Sequence, residues 1–206
     1  MRYSCPICDW HGERFLPKNG RDLARCPRCG SLERHRHQYL AFQSTGFACK
    51  GQSDRILHVA PELCISEFLR KLAPDYTSVD LRPGRAQIAA DLTRLPFGAD
   101  SFELIWVSHV LEHIRDAAGA ITEVFRVLRP NGLAVIDVPI YGDSTVALNC
   151  PGDHGHVWAP GRDWYKAYSR AGLSVDLFAP ERCAPEFGVA RKGSVALCSK
   201  SLIAHE

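Results

Sequence analysis

The chain predicts an α/β fold carrying a small metal-bound unit at its N-terminus, and three features support this expectation. Short apolar runs closed by polar residues alternate with helical patterns, as buried parallel strands alternate with crossover helices. The run at 104–107, Leu-Ile-Trp-Val, followed by Ser108, His109 and Glu112, is the clearest of them. Two C-x-x-C pairs stand ahead of the first such strand. With 206 residues, 46% of them hydrophobic and 23% charged, the chain has room for one full core and one small appendage.

Cys5-Pro6-Ile7-Cys8 and Cys26-Pro27-Arg28-Cys29 each offer two thiolates from one tight turn, and two such turns supply the four tetrahedral ligands of structural zinc. A redox pair is the rival reading, but redox C-x-x-C motifs belong beside a βαβ pattern. Four cysteines leave the metal no open position, so its expected role is structure and positioning. Cys49, Cys64, Cys150, Cys183 and Cys198 have no such spacing and are expected to bind nothing. An odd cysteine count and an N-terminus with no apolar leader favour reduced thiols and a cytoplasmic chain. No apolar run approaches the roughly 20 residues that span a bilayer, so no membrane partner is expected. The net charge of +2 is uneven, with +5 on residues 1–50 and −3 on the remainder. The basic end can face an anionic partner.

Beyond the second pair, Ser31 is a candidate N-cap for a helix through Leu32, Tyr39, Leu40 and Phe42. Its cluster Arg34-His35-Arg36-His37 reads either as an anion site or as a solvated face. Gly46 and Gly51 mark a linker, which divides a unit at 1–50 from a larger one at 51–206. Residues 55–60 predict a buried strand and 61–72 a helix with Pro61 at its first position. A strand at 76–80 ends on Asp80, and an extended piece at 87–91 ends on Asp91. Two acids at successive strand ends suit the hydroxyls and base edge of a nucleoside, with turn capping as the plainer alternative.

An amphipathic helix follows at 116–128, then the turn Arg129-Pro130-Asn131-Gly132 and a buried strand at 133–138. The passage 139–162 is loop-rich and carries Asp153, His154, His156 and Trp158, residues suited to a substrate segment. A helix at 164–171 and strands at 173–178 and 194–199 complete the pattern. His109-Val110-Leu111-Glu112-His113 also matches an inverted zinc-protease pattern. That pattern needs both histidines within a helix, whereas His109 falls at a strand end.

The succession of elements, with LPFGADSFELIWVSHVLEHI at 95–114 and LRPNG at 128–132, resembles the class I S-adenosylmethionine-dependent methyltransferases. With CPRCGSLERHR in front and LHVAPE at the first strand, the whole chain is similar to small methyltransferases that carry an N-terminal zinc ribbon. The resemblance implies a Rossmann-like seven-stranded sheet, ordered 3-2-1-4-5-7-6 with the last strand antiparallel. It implies S-adenosylmethionine as cofactor, with Asp80 at the ribose, Asp91 and Leu92 at the adenine, Ser108 and His109 beside the sulfonium, and Leu81 as a further cofactor contact. Its first loop, His58-Val59-Ala60-Pro61-Glu62, lacks the glycines usual there. Ala60 then borders the cofactor, Glu62 can pair with the methionine ammonium, and His58 is either a contact or a core residue.

The expected function is methyl transfer to a small-molecule metabolite, with His109 and His154 as catalytic candidates and Asp153, His154, His156 and Trp158 on the substrate side. A histidine near its ordinary pKa of about 6.5 suits proton removal at neutral pH. Three alternatives stay open: another outcome of the same cofactor such as cyclisation, an RNA methyltransferase guided by the basic ribbon, and a non-catalytic adaptor. The sequence leaves the oligomeric state open.

Overall fold

The computed structural model describes residues 2–47, 54–190 and 192–201. Two short hairpins build the N-terminal unit: β1 (Tyr3–Cys5) with β2 (Trp10–Gly12), and β3 (Leu16–Lys18) with β4 (Arg21–Arg25). Its buried interior is little more than Cys5, Phe15 and Cys26. A segment this small cannot fold on apolar burial alone.

The helix α1 (Glu33–Ser44) follows. Ser31 does not cap it. Leu32 holds the N-cap position and its amide donates to His35 Nδ1, while Ser31 Oγ lies 3.3 Å from Cys5 Sγ and 3.2 Å from Cys29 Sγ. The basic cluster is not a solvated face either, because Glu33, His35, Arg36, His37 and Gln38 are all buried. The Arg36 guanidinium stacks on Phe15 and donates to the carbonyls of Leu23, Ala24, Ser31, Phe187 and Gly188. It thereby joins the N-terminal unit to the C-terminal segment. The expected linker runs mostly outside the described residues, and Cys49 lies outside them too.

The apolar runs form one seven-stranded sheet. Its parallel strands are β5 (Arg55–Val59), β6 (Asp75–Asp80), β7 (Ile88–Ala89), β8 (Phe102–Ser108) and β9 (Leu128–Asp137). The helix α2 (Leu63–Leu72) links β5 to β6, and α3 (Ala117–Val127) links β8 to β9. A small outlying hairpin, β10 (Val146–Ala147) with β11 (Trp158–Ala159), precedes α4 (Tyr165–Arg170), and β12 (Ser174–Phe178) and β13 (Val195–Ser199) close the sheet. The spatial order is β7-β6-β5-β8-β9-β13-β12, with β13 antiparallel to both its neighbours. This is the expected 3-2-1-4-5-7-6 arrangement.

Alternate residues of the inner strands feed two cores, the pattern of a sheet covered on both faces. Leu57, Ile105, Val107 and Ile136 pack with Ile121 and Val124 of α3 and Tyr168 of α4. Ile56, Leu104, Trp106 and Val135 pack with Ile65 and Leu69 of α2 and with Ala41 and Phe42 of α1. The turn at 129–132 is absorbed into β9 as an irregularity of pairing with β8. Asn131 takes φ +63°, and a side chain on Gly132 would meet the Arg129 and Glu103 carbonyls at 2.9 and 3.0 Å. The helix after β5 begins at Leu63, two residues later than Pro61 suggests, because Ala60 turns the chain at φ +48° and Glu62 keeps an extended N-cap backbone.

Candidate functional site

A cavity of about 290 Å³ opens at the carboxyl ends of β5, β6 and β8. Of the sequence-expected cofactor residues, Ala60, Asp80, Leu81, Asp91, Leu92 and His109 line it. His154 lines it as well, together with His113 and Ile114. Asp80 Oδ1 accepts from the Arg82 amide at 2.8 Å, and Asp91 Oδ1 accepts from the Thr93 amide at the same distance. Each acid therefore caps its own turn, and the cap fixes the carboxylate at the cavity edge. Ala60 stands where a glycine is usual. Its left-handed backbone costs about 1–2 kcal/mol, and its single methyl keeps the wall shallow.

The other expected cofactor residues lie behind this wall. His58 is buried between strands, with Nδ1 3.0 Å from Tyr76 Oη and 3.4 Å from Ser66 Oγ. Burial pulls its pKa down to about 4, against a smaller upward pull from Glu62, so it is a neutral core histidine. Glu62 Oε1 accepts from Arg34 Nη2 at 2.7 Å and lies 2.8 Å from His35 Nε2. Burial works against the Glu62 charge, but these two partners hold its pKa down to about 2. Ser108 Oγ accepts from Gln38 Nε2 at 2.9 Å, and the same amide group donates to Asp137 Oδ2 at 2.7 Å. Trp106 Nε1 donates to Gln38 Oε1 at 3.1 Å.

His109 follows β8 with φ +52°. Its Nδ1 lies 3.2 Å from Glu112 Oε1 and its Nε2 3.6 Å from Asp137 Oδ2, and both carboxylates are fully buried. Burial opposes its charge, but Asp137 and Glu112 outweigh that and raise its pKa to about 9. At neutral pH it is an imidazolium, which differs from the expected histidine near pKa 6.5. Glu112 is also 4.0 Å from His156 Nε2, whose ring packs on His113 at 4.7 Å between centroids. Burial lowers the His156 pKa. Glu112, His113 and His156 bring ligand atoms within 4.8 Å of one another, yet Glu112 already balances the His109 charge. Residues 111–113 make a single 3-10 turn, so no helix carries both histidines of the protease pattern.

Within the expected substrate passage, Asp153 opens the short turn Asp153–Gly155 and His154 follows at φ +64°. Trp158 donates from Nε1 to the Ile114 carbonyl and packs against Trp164, so it braces the passage. Sequence reading missed Asp137 and Gln38. Asp137 carried a signal, as the lone acid ending an apolar run. Gln38 carried none, being one polar residue among several.

The four cysteines of the N-terminal unit bring their Sγ atoms within 4.8 Å of one another, with Cys5–Cys29 at 3.7 Å and Cys8–Cys26 at 3.6 Å. Roughly 3.8 Å is the edge of a tetrahedron with 2.3 Å metal–sulfur bonds, so the set fits zinc. Cys64, Cys150, Cys183 and Cys198 are free thiols outside the cluster.

Sheet order and site position together define the class I methyltransferase fold. Residues 63–136 match the Methyltransf_11 family, a methyltransferase domain. Over 96 residues, 42% of this chain, the sequence is 32% identical to a demethylmenaquinone methyltransferase of Mycobacterium sp. (strain KMS) and covers 42% of that protein. Over 103 residues, 48% of this chain, it is 36% identical to the methyltransferase GfsG of Streptomyces halstedii and covers 33% of it. The chain thus spans less than half the length of these relatives. The CurJ carbon methyltransferase superposes with a TM-score of 0.59 at 14% identity, covering 84% of this chain and 56% of that one. No described helix is long and apolar enough to cross a membrane.

Proposed function

We propose that the chain is an S-adenosylmethionine-dependent methyltransferase acting on a small molecule in the cytoplasm, with a structural zinc held by Cys5, Cys8, Cys26 and Cys29. The observation that carries this reading is the cavity wall, which brings together Asp80 at the end of β6, Asp91 two residues past β7 and His109 directly after β8. In it Asp80 accepts hydrogen bonds from the ribose hydroxyls, Asp91 and Leu92 border the adenine, Leu81 adds a further wall contact, and Ala60 lets the chain pass close. When bound, S-adenosylmethionine supplies a methyl group on a sulfonium whose departure leaves a neutral thioether. The protein's task is then alignment to within about 3 to 3.5 Å at the reacting contact.

His109, locked by Glu112 and Asp137, forms the wall at the reacting end. Glu62, Ser108 and His58 position from behind rather than touch the cofactor. His154 reaches the same cavity from the substrate passage, with Asp153, His156 and Trp158 beside it in sequence. The names of the relatives support a small-molecule acceptor over RNA.

Calorimetry with S-adenosylhomocysteine tests the reading. The folded wild type should bind, and Asp80→Ala should weaken binding by roughly 1.5 to 3 kcal/mol, the range for hydrogen bonds to a charged group. No binding by the wild type would leave an adaptor, and equal affinity in a folded variant would put the nucleoside elsewhere.

A further inference from the structure

A second cavity, of about 480 Å³, lies on the other side of His109. His109 lines both cavities. The second one is walled by Arg21 of β4, Arg34 of α1, Ile140 and Tyr141 after β9, and Lys192 of the C-terminal segment. Besides His109, its described lining holds three cationic side chains, and it holds no acid. The compensating carboxylates stand outside the lining: Glu33 is 3.5 Å from Arg21, Glu62 is 2.7 Å from Arg34, and Glu112 and Asp137 flank His109. Such backing orients the cations while leaving their outer donors for a ligand. Arg34 spends Nε and Nη2 on Glu62, and its Nη1 has no acceptor among the described residues.

The segment that brings Lys192 is anchored. Tyr165 Oη donates to the Ser194 carbonyl and accepts from its amide, and Gly193 approaches Ile140 so closely that a Cβ would come within 2.7 Å of it. Ile140 and Tyr141, the latter 61% exposed, add apolar surface to the lining. A volume in the few-hundred Å³ range, with an apolar side and a few convergent donors, is the make-up of a small-molecule site.

We infer that this cavity is the acceptor site, and that the acceptor is a small organic anion, a carboxylate or phosphate on an apolar body, held by Arg21, Arg34 and Lys192 with its nucleophile at His109. The inference rests on the methyltransferase reading. It also gives the N-terminal unit a part in recognition, since Arg21 and Arg34 come from it and its helix. Both anions can offer a pair of oxygens to a guanidinium fork, and comparing probes separates them.

Benzoate, phenyl phosphate and neutral benzyl alcohol, each titrated into the full chain saturated with S-adenosylhomocysteine and followed by NMR, test it. At least one anion should bind in the range of about 1 mM, typical of a fragment, and benzyl alcohol should not. The double variant Arg21→Gln/Lys192→Gln should lose roughly ten-fold or more of that affinity, as expected for charge-assisted bonds. Its S-adenosylhomocysteine affinity should equal that of the wild type, and that second readout separates failure of this inference from failure of the cofactor reading. Equal binding of the anions by wild type and variant, equal binding of the alcohol, or no binding of either anion would overturn the proposal. Stronger, salt-sensitive binding of a single-stranded RNA that excludes the anions would assign the cavity to a polymer and overturn it too.

Discussion

His109 is held by a balance that a single titration can expose. Two fully buried carboxylates, 3.2 and 3.6 Å away, keep it charged. Its folded pKa of about 9 exceeds the unfolded value of about 6.5. The folded state therefore binds the proton more tightly, so the stabilisation is complete below about pH 6.5 and is lost as pH rises toward 9. The difference corresponds to something on the order of 3 kcal/mol. His109→Gln should unfold more readily than wild type at about pH 6, and the gap should shrink by about pH 10. Urea titrations of both proteins at the two pH values measure this. A gap independent of pH would mean that folding leaves the His109 pKa where it is in the unfolded chain.

At the scale of elements, α1 does more than its sequence announces. It covers the sheet with Ala41 and Phe42, and it reaches under the site with Gln38. It also clamps two distant carbonyl clusters through Arg36. Arg36→Met keeps the length and the Phe15 contact but strips every donor from buried carbonyls. Unsatisfied buried groups cost about 1–3 kcal/mol each, so the variant should be destabilised by at least about 3 kcal/mol in chemical denaturation. A loss below about 1 kcal/mol would mean that water replaces the guanidinium.

The sheet was readable where a strand is an apolar run ended by a polar residue, as in β8 and β9, and Asp80 was readable as the acid that ends β6, whereas Asp91 stands two residues past β7. The role of α1 was not, since its buried polar side chains alternate like those of an exposed helix. Their long-range partners lie 27 to 152 residues away, at Glu62, Ser108, Asp137 and Gly188. His58 was equally open, because only the Tyr76 and Ser66 contacts decide for the core.

Across the whole molecule, the N-terminal unit and the sheet meet in one continuous polar path. From the cysteine cluster it passes through Ser31 to α1, then through Arg34 and His35 to Glu62 at the start of α2, and through Gln38 to Ser108 and Asp137 beneath His109. The unit's own core is too small to hold that helix start in place, and structural zinc contributes roughly 10 to 16 kcal/mol of apparent free energy in comparable small domains. With zinc held there as proposed, its loss should loosen Arg34 and His35 first, freeing Glu62 and the first turn of α2 beside the proposed cofactor cavity. Cys26→Ser combined with Cys29→Ser should abolish zinc in elemental analysis and lower the affinity for S-adenosylhomocysteine several-fold, while the far-UV signal of the sheet domain persists. Full zinc retention in that variant would reject the four-cysteine site. Zinc loss with unchanged S-adenosylhomocysteine affinity would instead cut the path at α1, leaving the sheet to build its cofactor cavity alone and confining the N-terminal unit to the acceptor side.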